Sequence, residues 1–395
     1  MAPDSLKETI DASSAAAAIA AGVRDVLPSA DVLIAPIADG GEGTLAVLEA
    51  SIPDLEMMEA VVPGPRPDRP AVRARWGLRR DRRLAIVELA EASGLVHLDQ
   101  ADRDPLQTGT SGVGHLLETA RSKLLRDGSR PSELILAVGG SATVDGGLGA
   151  ARALGMTVSG PEGPGDRSLV GADLETVDGV QVGPGLLSDW TAVRLRILGD
   201  VENALLGPDG AARTFGPQKG ADEESIGRLE TGLRRWAGIV GSVVGGCCDG
   251  PRTAAAGGVA LGLAPLLLRS SRPVSDRSGD LGASIESGFK VVAEIIGLAR
   301  HLRAADLVIT SEGSLDRQSM MGKAVGRLVT MAERAKVPIV AVPGTADRLD
   351  AASADRFMMI RSLTEEVGVD SAWQDPAGAL RATVGNVLGS WYSRI

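Results

Sequence analysis

Short, nearly continuous apolar runs recur along the chain: DVLIAPI (31–37), LAIVELA (84–90), ELILAVGG (133–140) and VRLRILGD (193–200). Each suits a strand buried on both faces. The opening MAPDSLKE reads as the tail of a strand, followed at once by a helix over SSAAAAIAAGVRDVL (13–27). From about 285 a regular rhythm sets in: helix 285–302, strand ADLVITS (305–311), helix 320–336, strand VPIVAVPG (337–344), RFMMIRSL (356–363) and a last helix from about 376. Strands alternating with helices of this length predict βαβ units and a parallel sheet. Right-handed crossovers then gather the loops after the strands along one edge, where ligands bind. Two stretches break the pattern. VVPGPRPDRPAV (61–72) carries Pro and Arg where a crossing or domain boundary is expected, and residues 160–190 read as a surface excursion.

Composition narrows the class. With 395 residues the chain has room for two or three domains. Aromatics are only 2% of residues, so the core must be built from Ala, Val, Leu and Ile, which favours helix-covered strands over a β-sandwich. A net charge of −10 argues against a nucleic-acid or membrane surface, and an anionic ligand would need a few placed Lys or Arg residues and backbone N–H groups. The two cysteines, Cys247 and Cys248, are adjacent and fit neither a disulfide framework nor a zinc site, which points to a reducing cytoplasm. No secretory pattern opens the sequence, and no apolar run reaches the roughly 18 residues of a membrane span.

The chemistry lies in glycine-rich loops. ADGG (38–41), VDGG (144–147) and AAGG (255–258) share a theme at irregular spacing. GGSATVDGG (139–147) follows a buried run and precedes a helical one, so its backbone N–H groups and the Ser141 and Thr143 hydroxyls suit an anion. The alternative is a tight strand–helix turn with Asp145 as N-cap. ADGGEGT adds Asp39 and Glu42, FGPQKGA presents Lys219 between Pro and Gly, and LGDVEN ends a strand with Asp200 and Glu202. SEGSLDRQSMMGK carries Glu312, Asp316 and Lys323. Acids and lysines beside glycine nests suit phosphoryl transfer, where Mg²⁺ takes carboxylates and phosphates take N–H groups and Lys. No Walker A loop, dinucleotide fingerprint or protein-kinase set is present, and His97, His115 and His301 show no metal-ligand spacing.

As a set these loops resemble the glycerate kinase family of the glycine-rich bacterial type. The matching stretches are APDSLK (2–7), PIADGGEGT (36–44), ELAEASGL (88–95), DPLQTGTSGVG (104–114), GGSATVDGG, the 199–221 segment, AAAGGVALGL (254–263) and DLVITSEGSLDRQSMMGKA (306–324). The resemblance implies ATP-dependent phosphorylation of D-glycerate with Mg²⁺, at the 2-hydroxyl more than the 3-hydroxyl. Its rivals are a kinase for another small hydroxy acid and a non-catalytic homologue. It also implies an α/β fold of two domains. One is Rossmann-like and formed by both chain ends (1–68 and 290–395), and the other is an α/β domain inserted between them (69–289). A monomer or homodimer acting on small molecules, without nucleic acid or membrane, is expected.

On this reading the glycine corner (Gly139, Gly140, Ser141, Thr143) and Lys219 neutralise phosphate charge, and Asp200 and Glu312 hold the metal. Asp39 or Asp145 orients or deprotonates the attacking hydroxyl, with Asp316 beside them as a catalytic group. Asp4, Ser5, Gly40 and Gly41 join the substrate or phosphate contacts. Lys7 and Lys323 hold the glycerate carboxylate or the γ-phosphate. The chain departs from the family pattern at Leu6, Glu8, Thr9, Val144, Glu202, Ala204, Ser311 and Met321. Only Met1 precedes the A-P-D-S motif, where the family has a few apolar residues; either the start is placed late or the first strand is stunted, leaving a sheet position poorly filled.

Overall fold

The computed structural model describes residues 1–6, 9–126, 131–161, 167–270, 281–320 and 322–392. Its contacts fall into two compact units. One comprises Gly40–Leu45 and Asp54–Ser287, the other Met1–Asp39, Ala46–Pro53 and Gly288–Ile395.

The larger unit is built on a six-stranded mixed sheet. In chain order its strands are β1 Glu56–Val62, β2 Val72–Arg79, β3 Leu84–Glu88, β4 Ser132–Ala137, β5 Val193–Leu198 and β6 Ile285–Glu286, and they lie in that same order across the sheet. β1, β2 and β3 pair antiparallel, and β3 to β6 pair parallel. The three apolar runs at 84–90, 133–140 and 193–200 thus form the parallel centre, and β3 is buried along its whole length. Glu88 lies level with Ala137, and Ala137 with Leu198, so these strands end together and their following loops share one edge. The scarce aromatics are spent inside, with Trp76, Trp190 and Trp236 fully buried.

Two expectations change here. The proline-rich stretch 61–72 lies between β1 and β2, which pair antiparallel, so it joins neighbours in one sheet and marks no boundary. The 160–190 segment is no mere surface excursion: Leu169, Leu174, Val177 and Trp190 are buried in the core, and Thr157–Ser159 pairs with Gly179–Gln181.

In the smaller unit β7 Val308–Thr310, β8 Ile339–Ala341 and β9 Met359–Ile360 form a parallel sheet in the order β9-β8-β7. The helix Ala12–Val26 starts at Asp11, whose carboxylate accepts the Ser14 N–H at 2.9 Å. It packs so closely on the helix Pro376–Tyr392 that a Cβ on Gly22 would lie 2.4 Å from the Arg381 carbonyl. The single helix expected over 285–302 is divided: β6 takes its start, and Gly297 at φ +68° separates Gly288–Ile295 from Leu298–Ala304.

The opening residues add a further extended segment beside β7. Ala2 and Asp4 donate N–H bonds to Ile309 and Ser311, while Met1 and Pro3 accept from Ala35 and Ile37. Beside this segment a cavity of about 330 Å³ is lined by Met1, Val23, Leu27, Leu33, Leu302 and Leu307, among others. The amine of half-buried Met1, lowered to about 6 by desolvation, donates to the Leu33 carbonyl. Among the described residues no helix is long and apolar enough to cross a membrane.

Candidate active site

In the larger unit β4 runs into the glycine corner, and the corner's first partner is another backbone. A Cβ on Gly139 would lie 2.2 Å from Gly41 Cα, and the Gly139 N–H donates to the Gly40 carbonyl at 3.2 Å. On Gly140, at φ +70°, a Cβ would come within 3.0 Å of Glu42 Oε2. The second pair is equally crowded. A Cβ on Gly147 would meet the Val259 carbonyl at 2.3 Å, one on Gly146 would meet Trp236, and one on Gly257 would meet the Thr143 carbonyl at 2.1 Å. Gly146 N–H donates to Gly257, and Gly262 N–H to Gly146. The three glycine-pair motifs therefore converge, and the space their missing side chains leave is filled by one another's chain. The close approach of these chain segments thus accounts for the glycines' missing side chains beside the anion reading.

Asp145 sits at the centre of the corner with no exposed surface. Its carboxylate accepts from the Thr110 N–H (2.9 Å), the Thr110 hydroxyl (2.7 Å), the Gly147 N–H (3.2 Å) and the Gly149 N–H (3.1 Å). Gly149 is the second residue of the helix Leu148–Ala153, so Asp145 caps that helix from just outside it. Burial holds its carboxyl above the usual carboxylate range despite these donors. Of the two roles open in the sequence, the geometry fits the cap: the carboxylate has no exposed surface, and its four donors, three on Oδ2 and one on Oδ1, all come from inside the protein. Val144, facing the core with no exposed surface, is a packing residue and presents nothing to a ligand.

Lys219 is 3% exposed, an unusual place for an ammonium group. Its Nζ donates to Ser141 Oγ at 2.8 Å and to the Thr143 carbonyl at 2.7 Å, and a turn ending in Gly220 at φ +94° aims it there. Burial lowers it to about 7, and the Asp145 charge opposes that fall. Two of its three donors are used by the corner. Thr143 Oγ1, also buried, has no partner among the described residues.

Loop 40–45 is gripped a second time by Glu88, the last residue of β3, which the sequence quoted but did not assign. Glu88 Oε1 accepts the Gly43 N–H and Oε2 the Leu45 N–H, both at 2.9 Å. Asp200 lies two residues beyond the end of β5, half-buried on the same strand edge.

The smaller unit collects a second group. Glu312, two residues after β7, is 8% exposed; its Oε2 accepts the Ser319 hydroxyl at 2.9 Å, and its buried Oε1 has no partner among the described residues. Burial, with the nearby Asp4 and Asp316 charges, pushes its carboxyl up to about 8, while Lys323 pulls the other way. Asp316 accepts the Ser319 N–H at 2.9 Å, and Asp4 accepts the Ser5 N–H at 2.7 Å. Lys323 is exposed, immediately before the helix Ala324–Ala335. Asp39 is half-buried in this unit's part of the chain, while Gly40 and Gly41 belong to the other. Lys7 and Met321 lie outside the described residues. Ser319, which holds both acids, escaped sequence reading because a serine at the end of a charged loop carries no signal of its own.

The glycerate kinase family model matches residues 1–392. The chain belongs to the glycerate kinase family. It is 34% identical to glycerate 2-kinase of Escherichia coli (strain K12), covering 93% of this chain and 86% of that protein. With a glycerate kinase of Bacillus subtilis (strain 168) the identity is 37%, over 88% and 85% of the two chains. A crystal structure assigned to glycerate kinase 2 of Salmonella typhimurium LT2 superposes with a TM-score of 0.78 at 32% identity, covering 99% of this chain and 97% of that one. As a glycerate kinase family member the chain is a kinase with a mixed α/β fold.

The crowding at Gly139 gives a direct test of the glycine packing. Gly139→Ala should lower unfolding free energy by about 1–3 kcal/mol, the usual cost of overpacking against backbone that must shift. Urea denaturation would measure it, and an unchanged midpoint would show that the corner does not need the close approach of Gly41.

Proposed function

We propose that the protein transfers the γ-phosphoryl group of ATP to D-glycerate, forming 2-phosphoglycerate in preference to 3-phosphoglycerate. The observation that carries this reading is the match over residues 1–392 to kinases whose names specify glycerate. The groups for the chemistry are at hand. The substrate hydroxyl oxygen attacks phosphorus as the bond to ADP breaks, and the hydroxyl proton passes to a carboxylate. Asp39 is the residue for that proton, since Asp145 has no exposed surface and is held by four donors from inside the protein. Lys219, supported by Ser141, Thr143 and the glycine corner, stabilises phosphate charge. Asp4, Ser5, Gly40, Gly41 and Asp316 position substrate, and Lys323, with Lys7, holds the glycerate carboxylate or the γ-phosphate.

Mg²⁺ fits the donor set at Glu312. Its Oε1 is buried and unpaired, a condition that ordinarily costs about 1–3 kcal/mol and that a hard cation relieves. Among the described residues no group of three or more His, Cys, Asp or Glu side chains is assembled for a metal. Mg²⁺ needs no such cage when substrate phosphates and water complete its shell around one or two carboxylates; Glu312 in the smaller unit and Asp200 in the larger are each candidates. When bound, the ion would neutralise phosphate charge.

We infer further that the two units correspond to a Rossmann-like domain formed from both chain ends and an inserted α/β domain. Free Cys247 and Cys248 suit a cytoplasmic protein, acting as a monomer or homodimer. Incubation with ATP, Mg²⁺ and D-glycerate, followed by identification of the product by NMR, tests the reading. The expected product is 2-phosphoglycerate. Turnover of a different hydroxy acid alone would reassign the substrate, and no ADP release with any would remove the enzymatic role.

A further inference from the structure

We propose that Glu88 is a positioning residue for the reaction, fastening the Gly40–Leu45 loop to the end of β3 and so fixing the glycine corner that the loop packs against. The proposal rests on the kinase reading above for its catalytic consequence, but the clamp itself does not.

The geometry supporting it is local and complete. Glu88 is 4% exposed, and both of its carboxylate oxygens accept loop N–H groups, Gly43 on one and Leu45 on the other. Buried carboxylates of this kind are costly, and an uncharged side chain could fill the same volume without that penalty. An amide of the same shape has a single acceptor oxygen, whereas the carboxylate gives each of the two backbone donors an oxygen of its own. One strand away, Gly139 holds the same loop through the Gly40 carbonyl and by direct contact with Gly41. The loop is thus gripped from two adjacent strand ends. The loop clusters with the larger unit, while Asp39 just before it and Ala46 just after it are assigned to the other.

The clamp is sensitive to protonation. Burial raises the Glu88 carboxyl to about 7, and the Glu91 and Glu42 charges add to the rise, while the two N–H donors oppose it. Glu91 is itself held by Arg75 at 2.8 Å. A protonated Glu88 places an O–H against an N–H, so one arm of the clamp is lost as pH falls through this range.

Glu88→Gln is the test, since the amide keeps the shape and one acceptor but turns an NH₂ toward the other donor. Hydrogen exchange on the full-length protein, corrected for intrinsic rates, reads the clamp independently of turnover. In the wild type, protection of the Gly43 and Leu45 amides should fall between pH 8 and pH 6. In Glu88→Gln it should be at least about tenfold lower at pH 8, the worth of one charge-assisted hydrogen bond, and close to the wild type at pH 6, where the wild-type carboxyl is itself protonated. In steady-state assays with ATP, Mg²⁺ and D-glycerate, the wild-type kcat/KM should decline on the acid side of about pH 7. Glu88→Gln should lose the part of that limb that titrates near pH 7, leaving what other acids such as Glu312 contribute, and run about tenfold slower at pH 8. Unchanged amide protection, or an acid limb identical to the wild type's in the variant, overturns the proposal. A wild-type protein that shows the exchange pattern but phosphorylates no hydroxy acid refutes the kinase reading and leaves the clamp standing.

Discussion

Lys219→Met should lower kcat/KM by about 10²–10³-fold, the range found when one well-aimed donor is removed from a developing negative charge. Steady-state kinetics with ATP and D-glycerate would measure it. The expectation comes from the place of the ammonium group. It is buried, donates to Ser141 and Thr143 on the glycine corner, and has one N–H left over. Lys219→Arg should not restore the rate, because a planar guanidinium cannot occupy a site built around a compact ammonium.

Stability separates this role from a structural one. The folded-state value of about 7 lies below the unfolded 10.5, so between them the unfolded chain binds the extra proton and wild-type stability rises with pH. The burial penalty is greatest at and below the folded value. Lys219→Met removes that penalty, so any gain in stability over the wild type is largest near pH 7 or lower and fades as pH approaches 10.5. A variant that melts no lower yet turns over far more slowly places Lys219 in the chemistry. Undiminished turnover would remove it.

The fold was legible wherever burial wrote itself into composition. β3 and β4 are apolar runs because the strands are covered on both faces, β5 alternates Arg194 and Arg196 with buried residues before its apolar end, and the helices at 12–26, 324–335 and 376–392 carry regular apolar spacing. The proline-rich 61–72 stretch misled because Pro and Gly report a turn without saying whether it joins neighbours or separates domains. The glycine corner was legible as a place where side chains are excluded, but not as to what excludes them. Gly41, Gly257 and Gly262 come from distant parts of the chain, and no local pattern records that they meet Gly139, Val144 and Gly147. Lys219 and Glu312 were marked as charges in loops, while their burial, which gives them perturbed acidity, depends on tertiary packing. Glu88 was hidden for a related reason. An acid at the last position of an apolar strand reads as a solvated end, and only the return of the 40–45 loop turns it inward.

Asp145 is where the sequence left two roles, and its variants decide between them. Asp145→Ala strands four donors (the Thr110 N–H and hydroxyl and the Gly147 and Gly149 N–H groups) in a region without solvent. Thr110 is itself a relay, since its Oγ1 accepts the Ala150 N–H while donating to Asp145, so the loss reaches a further helix donor. Unsatisfied buried groups cost about 1–3 kcal/mol each and are not additive, so a total of about 3–5 kcal/mol is expected, read from urea denaturation. Asp145→Asn keeps one acceptor oxygen and turns an NH₂ toward the remaining donors, and should lose about half as much. If Asp145 is a cap, the asparagine variant retains turnover within about tenfold of wild type well below its melting temperature, and stability and activity decline together across the two substitutions. A catalytic base predicts the opposite pattern: an asparagine variant that is nearly as stable as the wild type but slower by 10³-fold or more, in the range lost with essential proton-transfer groups. The cap is the expected result, because the carboxylate has no exposed surface and its four hydrogen bonds all come from inside the protein.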